Sequence, residues 1–124
     1  MLQLRSMLEV ADNSGAKKVQ LIGIPLKGNR KFAYLGEIIT GVVKQAIPYG
    51  QVASGDIIRA VIVRTRKEVR RDDGSYIRFD ENACVILGSK ETQDPKGTRI
   101  FGPIAKEIKD KGFNKIASLA EEIY

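Results

Sequence analysis

Histidine and tryptophan are absent from the 124 residues, and cysteine occurs once, as Cys84. Each absence narrows the function. Without histidine the commonest general base is gone. Structural zinc sites are built from clustered Cys and His, so none is expected here. A lone cysteine cannot close an internal disulfide, which suits a reducing compartment. Its setting, Ala83-Cys84-Val85-Ile86-Leu87, reads as a buried small hydrophobe. No apolar run approaches the roughly 20 residues that cross a bilayer. The start, Met1-Leu2-Gln3-Leu4-Arg5-Ser6, has neither a signal-peptide nor a transit-peptide pattern. The expectation is a protein that works where it is made, away from membranes.

Enzyme motifs are lacking too. The chain holds no G-x-x-x-x-G-K-S/T, G-x-G-x-x-G, H-E-x-x-H or G-x-S-x-G pattern. Asp72/Asp73 and Asp80/Glu81 are adjacent carboxylates, but neighbours on a strand point to opposite faces and make poor acid/base couples. No catalytic residue, cofactor or metal is expected. Aromatics amount to 6% of the chain and are scattered, which counts against a free OB-like module for single-stranded nucleic acid. That module remains the alternative binding reading.

What the chain does have is apolar β-formers and positive charge. Hydrophobic residues make up 43%, enough for one core at this length. Segments 19–24, 37–44, 56–63, 76–79 and 83–87 are rich in β-branched residues and separated by Gly and Pro, which predicts strands of a small barrel or sandwich. They are apolar on both faces, as in a closed barrel whose outside is covered by helix or RNA. Ile47-Pro48-Tyr49-Gly50 is expected to form a type I turn, Asp73-Gly74 a hairpin tip and Asn13-Ser14-Gly15 a further turn. Pro103 is placed to open a helix with Gly112 as its C-cap. Ile116, Leu119, Ala120 and Ile123 follow helical spacing and predict a second short helix. The chain is expected to be a single domain over 1–124: a basic barrel over 1–101 with the helical segment 102–124 packed on it.

Lys and Arg number 21 against 15 Asp and Glu, for a net charge of +6. Such a balance favours polyanions, nucleic acid before acidic membrane. In 102–124, Lys106, Lys109, Lys111 and Lys115 are balanced by Glu107, Asp110, Glu121 and Glu122, so the excess belongs to 1–101. Its densest part is Arg64-Thr65-Arg66-Lys67-Glu68-Val69-Arg70-Arg71, the rising arm of a hairpin. Alternation puts Arg64 and Arg66 on one side, suited to phosphates; a solvated edge strand kept soluble by charge is the other reading. Lys27-Gly28-Asn29-Arg30-Lys31-Phe32-Ala33-Tyr34 reads equally as an RNA-tracking loop or an ordinary surface loop. Lys96-Gly97-Thr98-Arg99-Ile100-Phe101-Gly102-Pro103 reads as a close-approach loop or a plain connection. The expected RNA contacts are Lys17, Lys18, Lys27, Arg30, Lys31, Lys44, Arg59, Arg64, Arg66, Lys67, Arg70, Arg71 and Arg78.

Three blocks carry a family likeness: Val10-Ala11-Asp12-Asn13-Ser14-Gly15-Ala16; the stretch from Ala60-Val61-Ile62-Val63 through Asp73-Gly74 and Phe79 to Asn82 and Val85-Ile86; and Gly97-Thr98-Arg99-Ile100-Phe101-Gly102-Pro103. On these the chain resembles, end to end, the universal large-subunit ribosomal protein family numbered fourteen, in its bacterial form. The resemblance implies a mainly β fold, a five-stranded barrel with short C-terminal α-helices. It implies a structural, non-enzymatic part of the large ribosomal subunit that binds large-subunit rRNA and bridges to small-subunit rRNA. Implied protein partners are the large-subunit proteins numbered three and nineteen, and a ribosome-silencing factor docking on the intersubunit face at Thr98, Arg99 and Lys115. The implied location is the cytoplasmic ribosome, or an organellar one if organelle-encoded.

Overall fold

Strand β2 (Ala16–Gly23) alternates buried and exposed side chains over most of its length, whereas β4 (Ile57–Arg64) and β7 (Ala83–Ile86) are buried on both faces over their apolar runs. The difference follows from what covers each strand. The computed structural model describes residues 2–24, 32–88 and 94–124. With β1 (Met7–Val10) and β3 (Ile38–Ala46), these strands close a five-stranded barrel in the order β1-β2-β3-β4-β7. Neighbours pair antiparallel except β7 with β1, which pair in parallel and shut the ring. The expected mainly β barrel is the observed fold.

Two apolar clusters hold it. Leu8, Val19, Leu21, Ile39, Val43, Ala60, Ile62, Cys84 and Ile86 fill the inside. Val61, Val63, Ala83, Val85 and Leu87 point outward from β4 and β7. There they are covered by Ile100, Ile104, Ile108, Phe113 and Ile116 of the C-terminal segment. Burial on both sides is why these two strands read as unbroken apolar runs.

The covering segment departs from the expected helix at Pro103. Pro103–Ile104 is a short strand, β8, paired in parallel with β9 (Glu122–Ile123). Proline donates no hydrogen bond and its fixed φ suits extended backbone as well as a helix start; here Ile104 O accepts from Tyr124 N. Helix α1 therefore begins only at Lys106 and runs to Asp110, with α2 over Asn114–Leu119. Ile123, expected on the face of the second helix, lies in β9. Gly112 does end α1. With φ +95° it donates to Lys109 O while Phe113 N reaches Ile108 O, and Phe113 and Ile108 share the outer cluster. This is the Schellman closure with its apolar contact. Helices this short do not hold in water alone; burial against β4 and β7 fixes them.

The buried acid Asp12 ties the ring's closing seam. Its Oδ1 accepts from Ser14 N at 3.1 Å and Ser14 Oγ at 2.6 Å, and its Oδ2 from Ile86 N of β7 at 2.9 Å. Burial raises the Asp12 carboxyl above its ordinary range, against the lowering pull of those donors. In Asp12→Asn the Nδ2 group would face the Ile86 N–H, donor against donor, and urea unfolding is expected to show a loss of about 1–2 kcal/mol. A carboxyl that titrates higher in the fold than in the open chain contributes its stability below the ordinary value of about 4 and loses it as pH rises through the folded value. The advantage of the natural chain over Asp12→Asn is thus expected to shrink from acidic to neutral pH. A difference that grows with pH contradicts the burial argument.

Candidate nucleic-acid interface

Among the described residues, the C-terminal layer covers β4, β7 and the start of β3 at Ile38 and leaves most of the outer wall of β1, β2 and β3 open, and lysines gather at one end of that wall. Ala16 pairs with Ala46, Lys18 with Gln45 and Val19 with Val43. The ladder thus skips Lys17 on β2 and Lys44 on β3. Each is the extra residue of a bulge, and bulges re-aim side chains. Lys17, Lys18 and Lys44 are all exposed. Glu9 of β1 lies across from Lys18. Farther along the wall, Met7, Gln20, Val42 and Ile57 form one transverse row, and Arg59 pairs with Thr40, half-buried.

The basic ribbon divides differently from its expected alternation. β4 ends at Arg64 after a slip in register against β7, so Arg64 is tucked under the C-terminal layer and is 6% exposed. Its Nη1 donates to Phe101 O and Pro103 O, both at 2.9 Å, and its Nη2 to Glu81 Oε1 at 2.8 Å. Gly102 sits against it with φ +77°; a Cβ there would lie 2.5 Å from Nη1. Arg64 is a clamp between barrel and C-terminal layer, and the expectation that it lies beside Arg66 on a phosphate-facing side is corrected. Arg71 is likewise held, donating to both carboxylate oxygens of Glu107, at 2.9 and 3.4 Å, and to Tyr124 O. Arg66, Lys67, Arg70 and Arg78 are exposed. Lys67 meets Glu68 at 3.2 Å with both side chains about half in water, a pairing that adds little stability. The hairpin β5 (Val69–Arg70) with β6 (Tyr76–Ile77) turns at Asp73-Gly74 as expected, Gly74 taking φ +89° and Asp73 Oδ1 accepting from Ser75 N and Oγ. Those two bonds hold the Asp73 carboxyl below its usual range. Lys27, Arg30 and Lys31 lie outside the described residues.

Thr98 and Arg99 are organised by Asn13, which the sequence marks as a turn residue inside a family-like block but not as a partner of this loop. Asn13 Oδ1 accepts from Thr98 N at 2.8 Å and Arg99 N at 3.1 Å, and its Nδ2 donates to Thr98 Oγ1 at 3.0 Å. Gly97 is required by this contact, since a Cβ there would stand 2.5 Å from Asn13 Oδ1. The Arg99 guanidinium lies 5.7 Å from the Phe101 ring centre, within cation–π range. Lys115 is exposed on α2, and Ile116 beside it shares the outer cluster with Ile100 beside Arg99. The three residues are therefore carried by one layer. A spacing signal for Asn13 existed only as its block's likeness to the family; the partner loop is 85 positions away.

Among the described residues no cluster of three or more His, Cys, Asp or Glu could hold a metal ion, and no helix is long and apolar enough to cross a membrane. Cys84 is fully buried in the barrel, where burial and nearby Asp12 push its thiol far up.

Compared with known proteins, residues 1–124 match the family model described as Ribosomal protein L14p/L23e. The chain belongs to this family. Among its relatives, the large ribosomal subunit protein uL14 of Aquifex aeolicus (strain VF5) is 59% identical over 123 residues, covering 99% of both chains. That of Aquifex pyrophilus is 58% identical over the same length, again at 99% of each. As a member of the family the chain is a structural ribosomal protein and not an enzyme.

Proposed function

We propose that the chain is a structural constituent of the large ribosomal subunit that binds large-subunit rRNA through the uncovered barrel wall and the outward residues of the hairpin. The observation that carries this is the division of charge. Lys17 and Lys44 stand out at paired bulges with Lys18 beside them, and Arg66, Lys67, Arg70 and Arg78 on the ribbon, while the neutral C-terminal layer covers the wall of β4 and β7. Cations held on a stiff scaffold displace the counterions condensed on phosphates. A-form major grooves are too narrow to read, so shape selects the site. Arg59 joins the wall at its far end; Lys27, Arg30 and Lys31, outside the described residues, are proposed as further rRNA contacts on their charge alone. Arg64 and Arg71 support it from inside.

The Asn13-ordered loop with Thr98 and Arg99, together with Lys115, forms the intersubunit face. It bridges to small-subunit rRNA and receives a ribosome-silencing factor. The large-subunit proteins numbered three and nineteen are the neighbours in the particle, which is cytoplasmic, or organellar if the chain is organelle-encoded.

The test is a salt series of rRNA binding, backed by sedimentation of the tagged chain with large subunits. Lys17→Gln, Lys18→Gln and Lys44→Gln each remove one phosphate-neutralising charge, and each is expected to flatten the log–log slope by roughly 0.7–0.9. Lys109→Gln, on the neutral layer, is expected to leave it unchanged. Equal losses from wall and layer, or a slope indifferent to the wall lysines, overturn the reading.

A further inference from the structure

The turn after β3 holds Tyr49, the most exposed large hydrophobic side chain among the described residues. The expected type I turn is not what forms there. Tyr49 takes φ +63°, the left-handed value that a type II turn demands at its third position and that usually falls to glycine. Gly50 stands next in line but is needed elsewhere: a Cβ on it would lie 3.1 Å from Gly15 Cα, and one on Gly15 2.9 Å from Gly50 Cα. This close crossing is fastened by Ile47 N to Gly15 O at 2.9 Å and Gln51 N to Ser14 O at 3.0 Å. A docked, rigid turn therefore holds an aromatic ring in water at a cost in backbone energy, and a kept strain of this kind points to use.

Its surroundings say what the use is. Ala46, three positions before Tyr49, pairs with Ala16, so the bulged Lys17 and Lys44 flank the root of the turn. An aromatic face beside phosphate-binding cations is the combination that grips an unpaired nucleotide, the base stacking and the backbone neutralised. A pre-fixed ring loses little freedom on binding.

We propose that Tyr49 is a stacking post for an unpaired rRNA base, with Lys17 and Lys44 holding the adjoining phosphates. This rests on the rRNA reading above and adds that this end of the barrel takes an unstacked nucleotide, where the rest of the wall meets duplex backbone.

The experiment titrates the full chain with large-subunit rRNA across a salt series, using Tyr49→Ala, Tyr49→Phe, Tyr49→Gly and Lys44→Gln, with ultraviolet crosslinks mapped to residues. Tyr49→Ala is expected to weaken binding roughly 5- to 150-fold, the range that about 1–3 kcal/mol per stacked base gives. Its salt slope stays unchanged, because no charge is removed. Tyr49→Phe binds within about twofold, since the ring does the stacking. Tyr49→Gly raises the thermal midpoint while weakening RNA binding, opposite movements that a purely structural tyrosine does not give. The natural chain crosslinks at Tyr49. Natural affinity in Tyr49→Ala, a Phe variant as weak as Ala, or crosslinks that avoid Tyr49 overturn the proposal and leave the rRNA reading standing. A natural chain that binds no rRNA overturns both.

Discussion

Replacing Arg64 by alanine is expected to lower the unfolding free energy by about 3 kcal/mol, read as a shift in the urea midpoint, whereas Arg66→Ala moves it by less than about 0.5 kcal/mol. The two arginines are close in sequence and of the same type, and only their surroundings separate them. Arg64 satisfies two main-chain carbonyls on either side of Gly102 and one oxygen of Glu81. Truncation leaves those carbonyls facing a space that alanine cannot fill. Two features keep the expected loss from being larger. Glu81 is 47% exposed and rehydrates when abandoned. The Arg64 Nε is buried with no partner among the described residues, so the clamp already carries one unmet donor. Arg64→Lys is expected to recover only part of the loss, since one ammonium on a single stem does not reproduce the fork. On the proposed rRNA interface the order is expected to invert, Arg66→Ala weakening RNA binding at constant stability. If Arg64→Ala proved as harmless to folding as Arg66→Ala, the clamp would be wrong.

The second large effect sits at Gly41, midway along β3. A Cβ built there would stand 2.4 Å from Val19 Cγ1 and 3.1 Å from Gln20 O, with Ile58 Cδ1 at 3.7 Å. Valine is stiff at χ1 and cannot swing aside, and the carbonyl belongs to the neighbouring strand of the ladder. Gly41→Ala is expected to cost about 2–3 kcal/mol by overpacking. Val19→Ala also destabilises by opening a cavity. Combined, the two are expected to cost less than their sum by at least about 1 kcal/mol, because the removed methyl makes room for the added one. Additive losses measured by urea unfolding of the four proteins in the cycle would show that the interior yields elsewhere.

These sites also show how far the fold is legible in the chain itself. The strands β3, β4 and β7 announce themselves by β-branched runs, and the covered outer wall by their lack of alternation. β1 escapes such reading because Met7–Val10 is short, carries Glu9 and is buried at only Leu8. Its role comes from pairing with β7, far away in sequence. Pro103 carries two compatible meanings, helix start and extended strand, and only the pairing with residues 122–123 decides between them. The surface charge of Lys17, Lys18 and Lys44 follows from composition, but not the bulges that turn Lys17 and Lys44 out together. Arg64 defeats the alternation rule because the register slips at the end of β4. Tyr49 leaves its trace in Pro48 and Gly50, which signal a turn without saying which residue takes the positive φ.

Closing β1 onto β7 has a consequence for life outside the particle. A ring of strands has no rim of unpaired N–H and C=O groups, and such rims are where chains add to one another and aggregate. Among the described residues, the sheets that keep open rims are the pairs β5–β6 and β8–β9, whose strands are each only two residues long. Across its described residues, this basic ribosomal protein therefore offers other copies of itself almost no template for growth.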